Sequence, residues 1–144
     1  MSNESTLPQI DHERIVAAIG SAEKTTSGEI RVVVARSKTE DPIAAAQRSF
    51  VKLGMDRTEL RNGILIYVAP ASRNLAVIGD TAAHAKAGDA FWRAIAETLT
   101  EHFARGEFTE GIVQGVERAG RFLAEHFPPK PGDKNELPDE VTED

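Results

Sequence analysis

Apolar residues run unbroken from Ile64 to Ala69 and again from Leu75 to Ile78, with Pro70-Ala71-Ser72-Arg73-Asn74 between the two runs. Two short apolar runs around a turn of this composition predict a strand, a hairpin and a second strand. Upstream, Glu29 to Ala35 alternates. Ile30, Val32 and Val34 face one way, and Glu29, Arg31 and Val33 face the other, with a β-branched density that favours strand. Between these strands the period lengthens. Ile43, Ala46, Phe50 and Leu53 recur at helical spacing behind Asp41-Pro42, an N-cap carboxylate followed by proline at the first helical position, and Gly54 is a stop.

An earlier helix is expected from Asp11, as N-cap, to about Lys24. Ile10 and Ile15 staple its entry, Ile15, Ile19 and Ala22 form its buried face, and Thr25-Thr26-Ser27-Gly28 ends it. After the hairpin, Ala82 to Gly88 predicts a short helical turn. Asp89 is expected to cap a long helix with Phe91, Trp92, Ile95, Leu99 and Phe103 inward, broken at Gly106-Glu107-Phe108. Thr109 is expected to cap the last helix, lined by Ile112, Val116, Ala119, Leu123 and Phe127. Gly111, Gly115 and Ala119 recur every fourth residue, a pattern for close backbone approach.

A strand, a helix and a second strand make a parallel crossover, and the hairpin adds an antiparallel third strand. A second strand apolar on both faces is covered on both sides. The expected class is therefore α/β: a three-layer sandwich with a small mixed sheet and helices on both faces. Residues 1–10 read as a flexible arm, 11–127 as one domain, and 128–144 as an acidic, proline-containing tail. That tail holds two lysines and six acids, −4 of the chain's net −6.

Composition narrows the function classes. The chain has 144 residues, 40% hydrophobic and 28% charged, enough for one domain with a core. An acidic balance with no basic cluster argues against nucleic acid as the main partner. Zero cysteines remove disulfides, thiolate catalysis and Cys-ligated zinc. The polar, acidic start MSNESTLPQIDHE lacks the pattern of a signal peptide, and no apolar run has bilayer-spanning length. The expectation is a cytoplasmic protein without direct membrane insertion, reaching membranes only through a partner.

No glycine-rich phosphate loop, serine elbow or paired-histidine metal motif is present. The one mixed cluster follows the third strand: Asp80, Thr81, His84 and Asp89. Its oxygens are the candidates for holding Mg²⁺ or Ca²⁺. Turn formation at Asp80 and capping by Asp89 fully account for both residue types without a metal. Arg57, Arg61 and Asn62 precede the central strand. The hairpin should fold them back beside Asp80, as an anion or substrate site or as a surface ion pair. Glu29 and Arg31 read as cross-strand partners or edge charges.

Several motifs in order bring a family into view: Ser27-Gly28-Glu29-Ile30, Arg61-Asn62-Gly63-Ile64-Leu65-Ile66-Tyr67-Val68, Ala76-Val77-Ile78-Gly79-Asp80, Phe91-Trp92, then Phe103, Gly106, Phe108 and Gly111 through Gly115. The chain resembles the TPM domain over about Asp11 to Phe127. It looks most like a short soluble bacterial branch with Gly79-Asp80 ahead of His84, and with His126-Phe127-Pro128 and Asn135 to Glu140 near the end. The resemblance implies a mixed α/β sandwich, weak acid phosphatase activity in some members and divalent-cation binding by acidic loops in others. Three functional readings follow. The first is a non-catalytic accessory or protein-interaction module. The second is a phosphatase dependent on Mg²⁺ or Ca²⁺, and the third a divalent-ion-sensing binder without catalysis.

Overall fold

The computed structural model describes residues 9–129 and 141–143. Its central element is the Ile64–Ala69 strand (β2), buried at every position. Strand Ile30–Val34 (β1) lies parallel to β2, with Ile30 beside Ile64 and Val34 beside Val68. Strand Asn74–Gly79 (β3) returns antiparallel on the other side, with Ile64 opposite Gly79 and Ala69 opposite Asn74. A turn over Pro70–Ser72 joins β2 to β3 and closes with Arg73 in the left-handed region at φ 57°. The mixed sheet has the expected parallel crossover pair and antiparallel hairpin.

A fourth strand completes it. Val141–Glu143 (β4) lies parallel on the outer edge of β1, giving the order β3-β2-β1-β4. These residues fall in the segment read as a tail, and three residues carry too little period to mark a strand in sequence.

The pleat of β1 and β2 sends alternate side chains to two cores. Ile30, Val32, Val34, Ile64, Ile66 and Val68 meet helices His12–Glu23 (α1), Asp89–Ala104 (α4) and Phe108–His126 (α5) on one face. Val33, Leu65, Tyr67 and Ala76 meet helix Pro42–Lys52 (α2) and Met55 on the other. Helices on both faces are what strands apolar on both sides require.

Helix starts follow the caps only in part. Asp11 accepts from the Arg14 amide at 3.2 Å and Asp41 from the Ala44 amide at 3.0 Å, as their types predict. Asp89 is not a cap: Gly88 holds that position and Asp89 is the first residue of α4. Nor does Thr109 cap α5, which starts one residue earlier at Phe108. The Thr109 hydroxyl instead accepts from the Asp11 amide at 3.0 Å, tying the start of α1 to α5. Ile43 leaves the expected buried stripe of α2 and is 56% exposed, because α2 covers the sheet with Ala45, Ala46, Ser49 and Phe50.

The glycine stripe of α5 is a packing device. A Cβ at Gly111 would stand 2.8 Å from that of His102, and Gly115 seats Ile66 and Leu99. Glu29 and Arg31 are not edge charges. Arg31 is buried, and its guanidinium donates to Glu23 at 2.7 Å and to Glu29 at 3.5 Å. No helix among the described residues is long and apolar enough to cross a membrane.

Candidate functional site

The amino end of β2 and the carboxyl end of β3 meet, as the hairpin demands. Arg61 precedes β2 with a left-handed backbone, φ 52°. That turn aims its guanidinium at Asp80, to which it donates two bonds, Nε to Oδ2 at 2.7 Å and Nη2 to Oδ1 at 2.9 Å. The carboxylate is 5% exposed and the arginine 46%. Asp80 also accepts from the Thr81 amide at 2.7 Å, as the N-cap of the short helix Thr81–Lys86 (α3). Backbone bonds complete the latch: the Asp80 amide donates to the Gly63 carbonyl and the Ala82 amide to that of Arg61, each at 2.9 Å. Asp80, through its hydrogen bonds and its charge, holds Arg61 above its ordinary pKa, and the charge of Asp56 adds to this.

Asn62 is buried and donates toward the Ser27 hydroxyl at 3.5 Å. Gly79 lies under the indole of Trp92, which an added Cβ would meet at 2.5 Å. The imidazole of His84 stacks on the same indole, with centroids 6.1 Å apart and planes at 12°. Phe91 packs on Phe122 at 4.2 Å. Four separate stretches, Ser27-Gly28, Arg61-Asn62-Gly63, Gly79-Asp80 with His84, and Phe91-Trp92, are thus one corner of the molecule.

A family model described as the TPM domain matches residues 1–122. The chain belongs to the TPM domain family. This TPM domain is similar in structure to the BA42 protein of the psychrophilic bacterium Bizionia argentinensis. That NMR structure shares 39% identity and a TM-score of 0.85, with 92% of each chain covered. The N-terminal domain of the cg2496 protein from Corynebacterium glutamicum shares the fold at 20% identity and a TM-score of 0.60, covering 77% of this chain and 70% of that one. No curated protein matches the chain.

Above the corner lies a cleft of about 520 Å³ between α2, β3, α3 and Trp92. Asp80, Thr81 and His84 line it; Asp89, Arg57, Arg61 and Asn62 do not. Arg57 and Asp89 are exposed. Most of the wall is apolar: Phe50, Val51, Val77, Ile78 and Trp92. Val51 is 57% exposed.

Two polar atoms here escaped the sequence reading. Asp56 lines the cleft with its Oδ1 buried and unpartnered, and the Trp92 indole N–H is likewise buried without an acceptor. Asp56 sits in a polar loop where nothing in the local pattern singles it out. Among the described residues, no three His, Asp or Glu side chains stand close enough to share a metal ion.

A second polar cavity runs along the other flank of α2, from residues 37–41 after β1 to Lys52. Lys38, Arg48 and Lys52 gather there around Tyr67, whose hydroxyl lies 3.2 Å from that of Thr39. Its residues 37–41 follow the carboxyl end of β1, where α/β sheets commonly take ligands.

Proposed function

We propose that this TPM domain is a non-catalytic protein-interaction module working in the cytoplasm, and that its partner docks in the cleft along β3. The observation that carries the reading is an apolar wall bordering a strand edge. Among the described residues β3 pairs on one side only. Because the Asp80 amide bonds to Gly63, alternation leaves the N–H and C=O groups of Leu75, Val77 and Gly79 pointing away from β2. Such an edge beside exposed Val51 and the pocket at Ile78 and Trp92 suits an extended apolar segment of another protein, including one seated in a membrane. The state of the chemical groups supports the same reading. Asp80 spends its carboxylate on Arg61 and the Thr81 amide, and Lys38, Arg48 and Lys52 line a different cavity from the one Asp80 lines.

The second reading is binding of Mg²⁺ or Ca²⁺, with or without phosphatase action. Asp56 favours it: a buried carboxylate oxygen without a partner suits a hard cation, with Asp80 and the Thr81 hydroxyl on the same wall. In a phosphatase the ion would polarise a phosphoryl group.

One set of measurements separates the readings. A photo-crosslinker at Gln47, on the rim of the cleft, should capture a discrete protein, and Val51→Asp should abolish capture while leaving stability within about 0.5 kcal/mol, as for an exposed site. Turnover of a phosphomonoester that requires Mg²⁺ and is lost in Asp56→Asn would overturn the interaction reading. Amide shifts at Asp56 and Gly79–Thr81 on Mg²⁺ or Ca²⁺ addition without turnover would assign the ion-binding form.

A further inference from the structure

The outer edge of β1 holds a separate feature, remote from the cleft and independent of it. Since the Ile64 amide takes the Glu29 carbonyl and the Ala35 amide takes that of Val68, the backbone groups of Val32 and Val34 face away from β2. Val141–Glu143 meets them, with Val32 beside Val141 and Val34 beside Glu143. One step further along, the Ile30 amide is already satisfied by Glu23 Oε2 at 2.7 Å, which marks where the open edge ends.

Recognition of this short strand uses two side chains on one face. Val141 packs against the core shared with α1 and α5. The Glu143 carboxylate is held by Arg36 Nη2 at 2.6 Å and by His12 Nε2 at 3.0 Å. Both basic groups stand at the surface, Arg36 68% and His12 41% exposed, so a carboxylate can reach them from solvent. Thr142, between them, belongs to the opposite face. The edge therefore reads an extended segment as apolar, any, glutamate.

We propose that the outer edge of β1 is an exchangeable strand-addition site for a partner protein carrying an extended apolar-x-Glu segment, with Val141–Glu143 as its resident occupant. A three-residue strand with one half-buried apolar anchor binds weakly by itself. Its occupancy rests on attachment through residues 130–140, which gives an effective concentration on the order of millimolar. A partner segment with the same two anchors replaces it without disturbing either core when its concentration at the edge exceeds that value, since the main-chain bonds are common to every sequence. A second copy of this chain offers only the same short strand at far lower effective concentration.

The test uses the full-length chain labelled for amide NMR and, as probe, an unlabelled synthetic peptide with the sequence of residues 138–144, PDEVTED. Peptide should move the amides of Val141–Glu143 to a common unattached position while the Val34 amide stays bonded. Glu143→Ala, an exposed change that weakens only the resident, should raise the apparent peptide affinity by about tenfold, the scale of one charge-assisted bond. Arg36→Ala added to the Glu143→Ala protein, where only the peptide's glutamate still uses that arginine, should lower it by a similar factor. A peptide with glutamine in place of its first-bound glutamate, PDEVTQD, should compete poorly. The proposal fails if millimolar peptide leaves the β4 amides unmoved in a Glu143→Ala protein that still melts cooperatively. It fails equally if the glutamine peptide displaces β4 as well as the glutamate one. Displacement driven by protein concentration alone, with a dimer in sedimentation, would assign the edge to a second copy and overturn the partner reading.

Discussion

Asp80 illustrates how one side chain can satisfy several demands at once. It caps α3, closes the salt bridge with Arg61 and, through its backbone, extends the β2–β3 ladder by one pair. Each role alone is modest, and a half-exposed ion pair in particular contributes little. Their coincidence on one residue fixes the angle at which α3 leaves the sheet, and so places His84 on Trp92. Gly79 beside it is constrained by space rather than by backbone freedom. The Trp92 ring is held by Phe91, Phe122 and His84 and cannot retreat from a new methyl group. Gly79→Ala is therefore expected to cost about 1–3 kcal/mol through overpacking, measurable as a lower urea midpoint with an unchanged slope.

Elements are joined at the opposite end by a polar cluster at the α4–α5 turn. His102 Nδ1 lies 2.7 Å from Glu107, and Arg14 of α1 donates to Glu110 at 2.9 Å, with Gln114 donating to the same carboxylate at 3.1 Å. The bond from His102 and then the nearby Arg105 hold Glu107 below the usual glutamate range. Gln114 and then Arg14 do the same for Glu110. A carboxylate lowered on folding stabilises above its unfolded pKa, about 4.3 for glutamate, and loses that contribution as pH falls through the folded value. Glu110→Gln should therefore melt below the parent near neutral pH, and the two curves should converge as pH drops below the glutamate range. Melting temperatures taken between about pH 3 and pH 7 check this, and a gap that persisted in acid would refute the charge pair as its source.

Among the described residues the sheet has four strands, and its two edges are treated differently. β3 leaves its outer backbone groups open beside an apolar cleft, whereas β1 is covered by three residues from the far end of the chain. Open edges invite pairing with other chains, and the strand addition proposed at β1 and the docking proposed along β3 both rest on that. A strand held mainly by attachment should open far more often than the sheet it joins. In Glu143→Ala the Val34 amide, which faces β4, should exchange with solvent faster. The neighbouring Val33 amide, which faces β2, should keep its protection. Hydrogen exchange resolved by residue separates these two, and equal acceleration at both would mean that β4 supports the whole sheet.

Much of this was legible in the amino-acid sequence because it is local. Alternation marked β1, unbroken apolar runs marked β2 and β3, and Asp11 and Asp41 announced two helix starts by side-chain type. Even the meeting of Arg61 with Asp80 followed from a hairpin's need to bring its ends together. The order of weak motifs pointed to the TPM family. Tertiary structure decided the rest. Whether a charge such as Arg31 is buried depends on what covers it, and periodicity records only that a face is covered. The same limit hid the exposure of Ile43, since helix spacing names a stripe but not how far the partner surface extends. Asp56 became notable only when folding removed its oxygen from water without supplying a donor. β4 escaped because three residues have no period of their own, and their pairing with β1 is a contact across more than a hundred residues of chain.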